Sequence, residues 1–232
     1  MLSAAINRRG ALRAGAVAGL AAAGGIVITE TAAQAATTYV TTETAAQAAT
    51  AYVTREPLLA GANPYVTLYD GTTPTGYASM WKVDWSTHGT GAVLVVWTPA
   101  GLRVVGDDPR LAAWIEEHFV RHFDEATALP SWPAVRVERA AVHLRIDPAK
   151  GAFARAAGLE VSITGTLDAR PFALADFPLQ GVSHGLSMQV IPCEHASITV
   201  NGHAVPGSPT VIRSDGRPAS SAVTTVHEAW SM

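Results

Sequence analysis

The sequence predicts an α+β fold: a largely antiparallel curved sheet, or partial barrel, of about seven to nine strands packed on one central helix. Three observations carry that expectation. From about residue 64 onward, apolar and polar residues alternate with the period of two that half-buried strands require. These runs succeed one another without intervening helices, which argues against a parallel, doubly wound sheet. Only residues 109–126 carry helical spacing.

Taken in order, Trp81, Val83 and Trp85 face one way and Lys82, Asp84 and Ser86 the other, and the two tryptophans read as core. Residues 86–91 form a turn. The run from Ala92 through Trp97 is continuously apolar, as expected for a strand covered on both faces. Thr98-Pro99-Ala100-Gly101 is a tight turn, and residues 102–105 return as a strand. Asp108 is a natural N-cap with Pro109 in the first helical position, and Leu129-Pro130 ends the helical run. Val135 and Val137 point to one side, whereas Ala140, Val142, Leu144 and Ile146 point to the other, so a bulge or turn is expected near Arg139. Residues 147–151 are a loop. Leu159, Val161 and Ile163 alternate with Glu160, Ser162 and Thr164; Leu186, Met188 and Val190 repeat the pattern, as do Ala196, Ile198 and Val200 before the hairpin signal Asn201-Gly202. Residues 207–221 read as loop and 223–230 as a closing strand.

The segment before this body has a different character. Asn7-Arg8-Arg9-Gly10-Ala11-Leu12-Arg13 resembles the twin-arginine export pattern. Next comes an Ala/Gly-rich apolar stretch of about 15 residues, too short to span a bilayer comfortably. Ala33-Gln34-Ala35 is a small-x-small cleavage signal. Residues 30–42, ETAAQAATTYVTT, recur at 43–55 as ETAAQAATAYVTR, which copies the cleavage signal as Ala46-Gln47-Ala48. The expected organisation is a signal peptide over 1–35, a weakly ordered repeat segment over 36–63 and a single domain over 64–232. The product would be exported, to the cell envelope or medium, with no membrane anchor after cleavage.

The 232 residues carry 16 Lys and Arg against 19 Asp and Glu, a net charge of −3. A mildly acidic chain without a basic run lacks the electrostatic footprint of a nucleic-acid binder. Cys193 is the only cysteine, so neither an intrachain disulfide nor a multi-thiolate metal site can form. Flanked by Val190-Ile191-Pro192, it reads as a small buried residue. Sequence motifs for nucleotide, calcium or haem binding are missing, and no cofactor is implied.

Two signals point to chemistry. His118 and His122, four residues apart, fall in one arc of the expected helix with Trp114, Ile115 and Phe119. On that reading both imidazoles face the sheet and line the principal cavity, where they could act in catalysis or hold a metal ion; the plainer alternative satisfies each with a backbone carbonyl. Gly181-Val182-Ser183-His184-Gly185 matches G-x-S-x-G, and Asp215 and His227 come later in the order of a hydrolase triad. The residues after Ser183, however, alternate like a strand, so a turn is the better reading. The function expected from all this is non-catalytic binding of a small apolar ligand or a partner, in an apolar pocket between sheet and helix. The alternatives are an enzyme using His118 and His122, with or without a metal ion, and a serine hydrolase on Ser183.

Overall fold

The computed structural model describes residues 55–232. The export pattern and both cleavage signals lie outside the described residues, as does most of the repeat segment. The described chain is mostly β. Its strands are β1 (Pro57–Ala62), β2 (Tyr65–Asp70), β3 (Thr73–Ser86), β4 (Gly91–Thr98), β5 (Gly101–Gly106), β6 (Val137–Arg139), β7 (His143–Asp147) and β8 (Gly151–Ala156). They continue as β9 (Leu159–Thr166), β10 (Arg170–Leu179), β11 (Val182–Val200), β12 (His203–Ala204), β13 (Val211–Ser214), β14 (Arg217–Ser220) and β15 (Ala222–Ser231). Thirteen of these form one sheet with β6-β5-β4-β3-β1-β15-β11-β9-β8-β7 as its path, and β13–β14 is a separate hairpin.

This corrects the expected α+β architecture of about seven to nine strands on a central helix. The sheet has 13 strands and is mixed, because β5 and β6 run parallel. The helical region is short and broken. Helix α1 (Pro109–His118) begins as the sequence suggests, with Asp108 accepting a hydrogen bond from the Arg110 N–H at 2.8 Å. It stops at Phe119, whose φ of −125° and ψ of −68° leave the helical region. Beyond it lie a 3₁₀ turn (Val120–His122) and a four-residue helix α2 (Asp124–Thr127), separated by an extended Phe123. The residues around the break are core: Phe119, Val120 and Phe123 are all at most 1% exposed. A continuous helix would also hold these three within about 100° of one face, so the apolar pattern alone does not announce the break.

Strand pairing begins at Pro57, ahead of residue 64, with β1 between β15 and β3. Gly61 permits this insertion, since a Cβ there would overlap the Lys82 carbonyl of β3. The loop expected over 207–221 contains the β13–β14 hairpin, turned by Asp215 and Gly216 with φ of 53° and 78°. Both residues in left-handed conformation are what a two-residue hairpin turn demands.

Each face of the sheet buries a separate core. On one face Trp81, Val93, Val95 and Val104 meet α1, Phe119, Phe123 and the β10–β11 hairpin. On the other, Met80, Leu94 and Val96 meet Ala154, Val161 and Ile163 from β8 and β9, because the sheet curls until its distant strands touch. Strand β4 is therefore buried on both sides, as its unbroken apolar run implies. The nineteen-residue β11 serves both cores: Leu186, Met188 and Val190 face the first, and Ile191, Cys193 and Ile198 the second. Beside this handover the Pro192 carbonyl receives the Leu167 N–H from the link between β9 and β10.

Candidate functional site

The helix histidines do not face the sheet. His118 is exposed and His122 is half-buried. The His118 Nδ1 lies 3.2 Å from the Trp114 carbonyl, and the His122 Nε2 lies 3.0 Å from that of Glu117. The buried polar side chain of α1 is instead Glu116, only 2% exposed. Its carboxylate accepts two bonds from Arg121, at 2.9 and 2.6 Å, and one from the Trp132 indole at 2.7 Å. His118 is the last residue of α1 and is exposed although Leu111, Trp114 and Ile115 on the same side of the helix are buried, and the break at Phe119 takes His122 off that side altogether. Among the described residues, no group of three or more His, Cys, Asp or Glu is placed to hold a metal ion.

Nor does the structure assemble Ser183, Asp215 and His227. Ser183 lies at the start of β11, just after a hairpin turn, Gln180-Gly181, with φ of 54° and 74°. Its hydroxyl donates to Asp176 at 2.9 Å, and Arg55 reaches the same carboxylate at 2.9 Å and the Ser183 carbonyl at 3.1 Å. This is a surface tie between the start of the domain and the β10–β11 hairpin. Asp215 sits in the turn of the separate β13–β14 hairpin, and His227 is an exposed residue of β15. The neighbouring His184 is 7% exposed and packs edge-on against Trp230. Burial holds its imidazole below the ordinary value, against the opposing bond to the Val182 carbonyl, and the Arg55 charge adds to the lowering.

The densest arrangement of polar atoms inside the domain is elsewhere, on the core face of β1, β2, β3 and β15. Asn63, Ser79 and Thr225 are fully buried and Glu228 is 1% exposed. The Trp81 indole donates to the Ser79 hydroxyl at 2.9 Å, and the Asn63 amide reaches that oxygen at 3.0 Å. The Asn63 backbone N–H donates to Thr225 Oγ1 at 2.7 Å; Thr225 donates to Glu228 at 2.9 Å, and the Trp230 indole donates to the other carboxylate oxygen at 2.8 Å. A bulge turns Glu228 inward. Between Val226 and Ala229, β15 carries one residue more than its partner β11, and His227 takes up the strain with φ of 55°.

Aromatic rings roof this network. Phe119 and Phe123 lie 5.4 and 6.2 Å from Trp81, and 5.2 and 6.1 Å from Trp230; Phe177 meets Trp230 at 5.3 Å. The space expected to be an apolar pocket between sheet and helix is thus filled by ring on ring. Farther along the same face, Thr67, Tyr77 and Trp97 stand side by side across β2, β3 and β4. Thr67 is 1% and Trp97 2% exposed, yet neither Thr67 Oγ1 nor Trp97 Nε1 has a hydrogen-bond partner. The sequence did hold one signal for the missed network. Glu228 precedes Trp230 by two residues and so shares its face of the strand.

Comparison with protein-family models, with curated proteins and with solved structures finds no match to this chain.

Proposed function

We propose that the chain is an exported, non-catalytic binding domain for a small, largely apolar molecule, taken up between the sheet and the irregular cover formed by residues 119–136. The observation that carries this reading is the makeup of that interface. Aromatic rings in number surround a few convergent polar groups, which is the composition of small-molecule sites rather than of an ordinary β core. The cover supports it too. It is built from one 3₁₀ turn, one four-residue helix and a stretch without regular structure, so opening it breaks few backbone hydrogen bonds. Sheet ladders lie beneath and stay intact.

Titration with a panel of medium-chain alkanols, ketones and arenes, monitored by tryptophan emission, tests the reading. Trp81 and Trp230 sit at the interface, so a saturable change that reports burial of their indoles is expected for part of the panel. Absence of saturation across the panel contradicts it. Export rests on Arg8 and Arg9: changing both to lysine should abolish export, and the mature chain should begin near Ala36 or, as second choice, Ala49. Normal export of that variant contradicts the twin-arginine assignment.

A further inference from the structure

We infer that Thr67 and Trp97 are the donors for the polar end of the ligand, and that this end is an uncharged carbonyl-type oxygen on an apolar body. This assignment rests on the proposed binding function and adds the ligand's chemistry to it.

Pairing across the sheet sets Thr67 opposite Tyr77, Tyr77 opposite Trp97, and Trp97 opposite Leu102. Their side chains share the face that meets the cover, where Trp132 lies edge-on to Tyr77 at 6.2 Å. Buried donors in folded proteins are almost always paired. Here two unpaired polar atoms, Thr67 Oγ1 and Trp97 Nε1, flank one tyrosine in a single row. The contrast with the other fully buried indoles is specific: Trp81 and Trp230 each donate to a side-chain oxygen, as does the half-buried Trp132. An indole N–H can only donate and a threonine hydroxyl can donate, so the complementary group is an acceptor. A carboxylate would meet no cation in this row, and an unpaired buried charge costs more than two such bonds return. A ketone, aldehyde or ester oxygen fits.

The probe is a shape-matched pair, 2-nonanone and 2-methyl-1-nonene, in which a C=CH₂ group replaces C=O. Wild type should bind the ketone about tenfold more tightly, the worth of one net hydrogen bond. Trp97→Phe, read as the ratio of the two affinities within that variant, should cut the ketone's advantage to about threefold or less. Thr67→Val, close to isosteric, should narrow the gap in the same direction and guards against a fold effect at Trp97. Equal affinities in wild type, or a preference that survives both substitutions, overturns the assignment and leaves the binding reading standing. Failure of both probes to bind contradicts the binding reading, and the assignment falls with it.

Discussion

Replacing Glu228 by alanine removes, in one step, the acceptor of both Thr225 Oγ1 and the Trp230 indole. Leaving buried donors without a partner costs roughly 1–3 kcal/mol, so Glu228→Ala should shift urea unfolding by about that much. Glu228→Gln keeps one acceptor and should lose less; equal stability of Glu228→Ala and wild type would show that the network does not stabilise the domain. Ser183→Ala should behave oppositely. Its hydroxyl is exposed and its partners Asp176 and Arg55 keep each other, so stability should change by no more than about 0.5 kcal/mol. Ser183 should also take no label from a serine-directed phosphonate, and stoichiometric labelling there would revive the hydrolase. His184 gives the pH dependence. Its folded-state pKa lies below its ordinary 6.5, so as pH falls the unfolded chain binds the proton first. Stability is then present above about pH 6.5 and is lost as pH falls from there through the folded value. Melting temperature should drop across that window, and His184→Asn, which retains a donor for the Val182 carbonyl, should remove the drop. A persistent drop assigns it to another group.

At the scale of elements, the strands were legible and the cover was not. The apolar run of β4, the alternation of β9 and the Asn201-Gly202 turn each depend on neighbours a few residues apart, which periodicity and turn chemistry report directly. The phase change near Arg139 was visible for the same reason: β6 ends there and β7 starts at His143. The helix failed because its faces are decided at a distance. Glu116 goes inside only because Trp132, sixteen residues on, and Arg121 supply donors, and no local pattern announces that. The arc drawn through His118 and His122 assumed a continuous helix and a charged residue outside. Glu116→Ala should therefore cost roughly 1–3 kcal/mol by stranding the Trp132 and Arg121 donors. His118→Ala should cost little, because its ring bonds only to a carbonyl of its own helix at the surface; thermal melts of the two variants make the comparison.

The whole molecule is organised around one sheet with two unlike faces. The core shared with β8 and β9 is enclosed by ladders and lined by small and aliphatic side chains such as Ala152, Ala154 and Val161. Across the sheet, the other core holds the rings, the buried carboxylate and the unpaired donors, and its covering segment is the least regular part of the domain. Ligand binding requires that cover to open on its own, at a free energy well below that of global unfolding. Amide hydrogen exchange on the free protein measures this directly. Residues 119–136 should exchange on the order of a hundredfold faster than the paired amides of β3 and β4, and should slow when a panel ligand is bound. If the cover is instead protected as strongly as β3 and β4, it opens only when the whole domain unfolds, and the interface beneath it is a core and not a binding site.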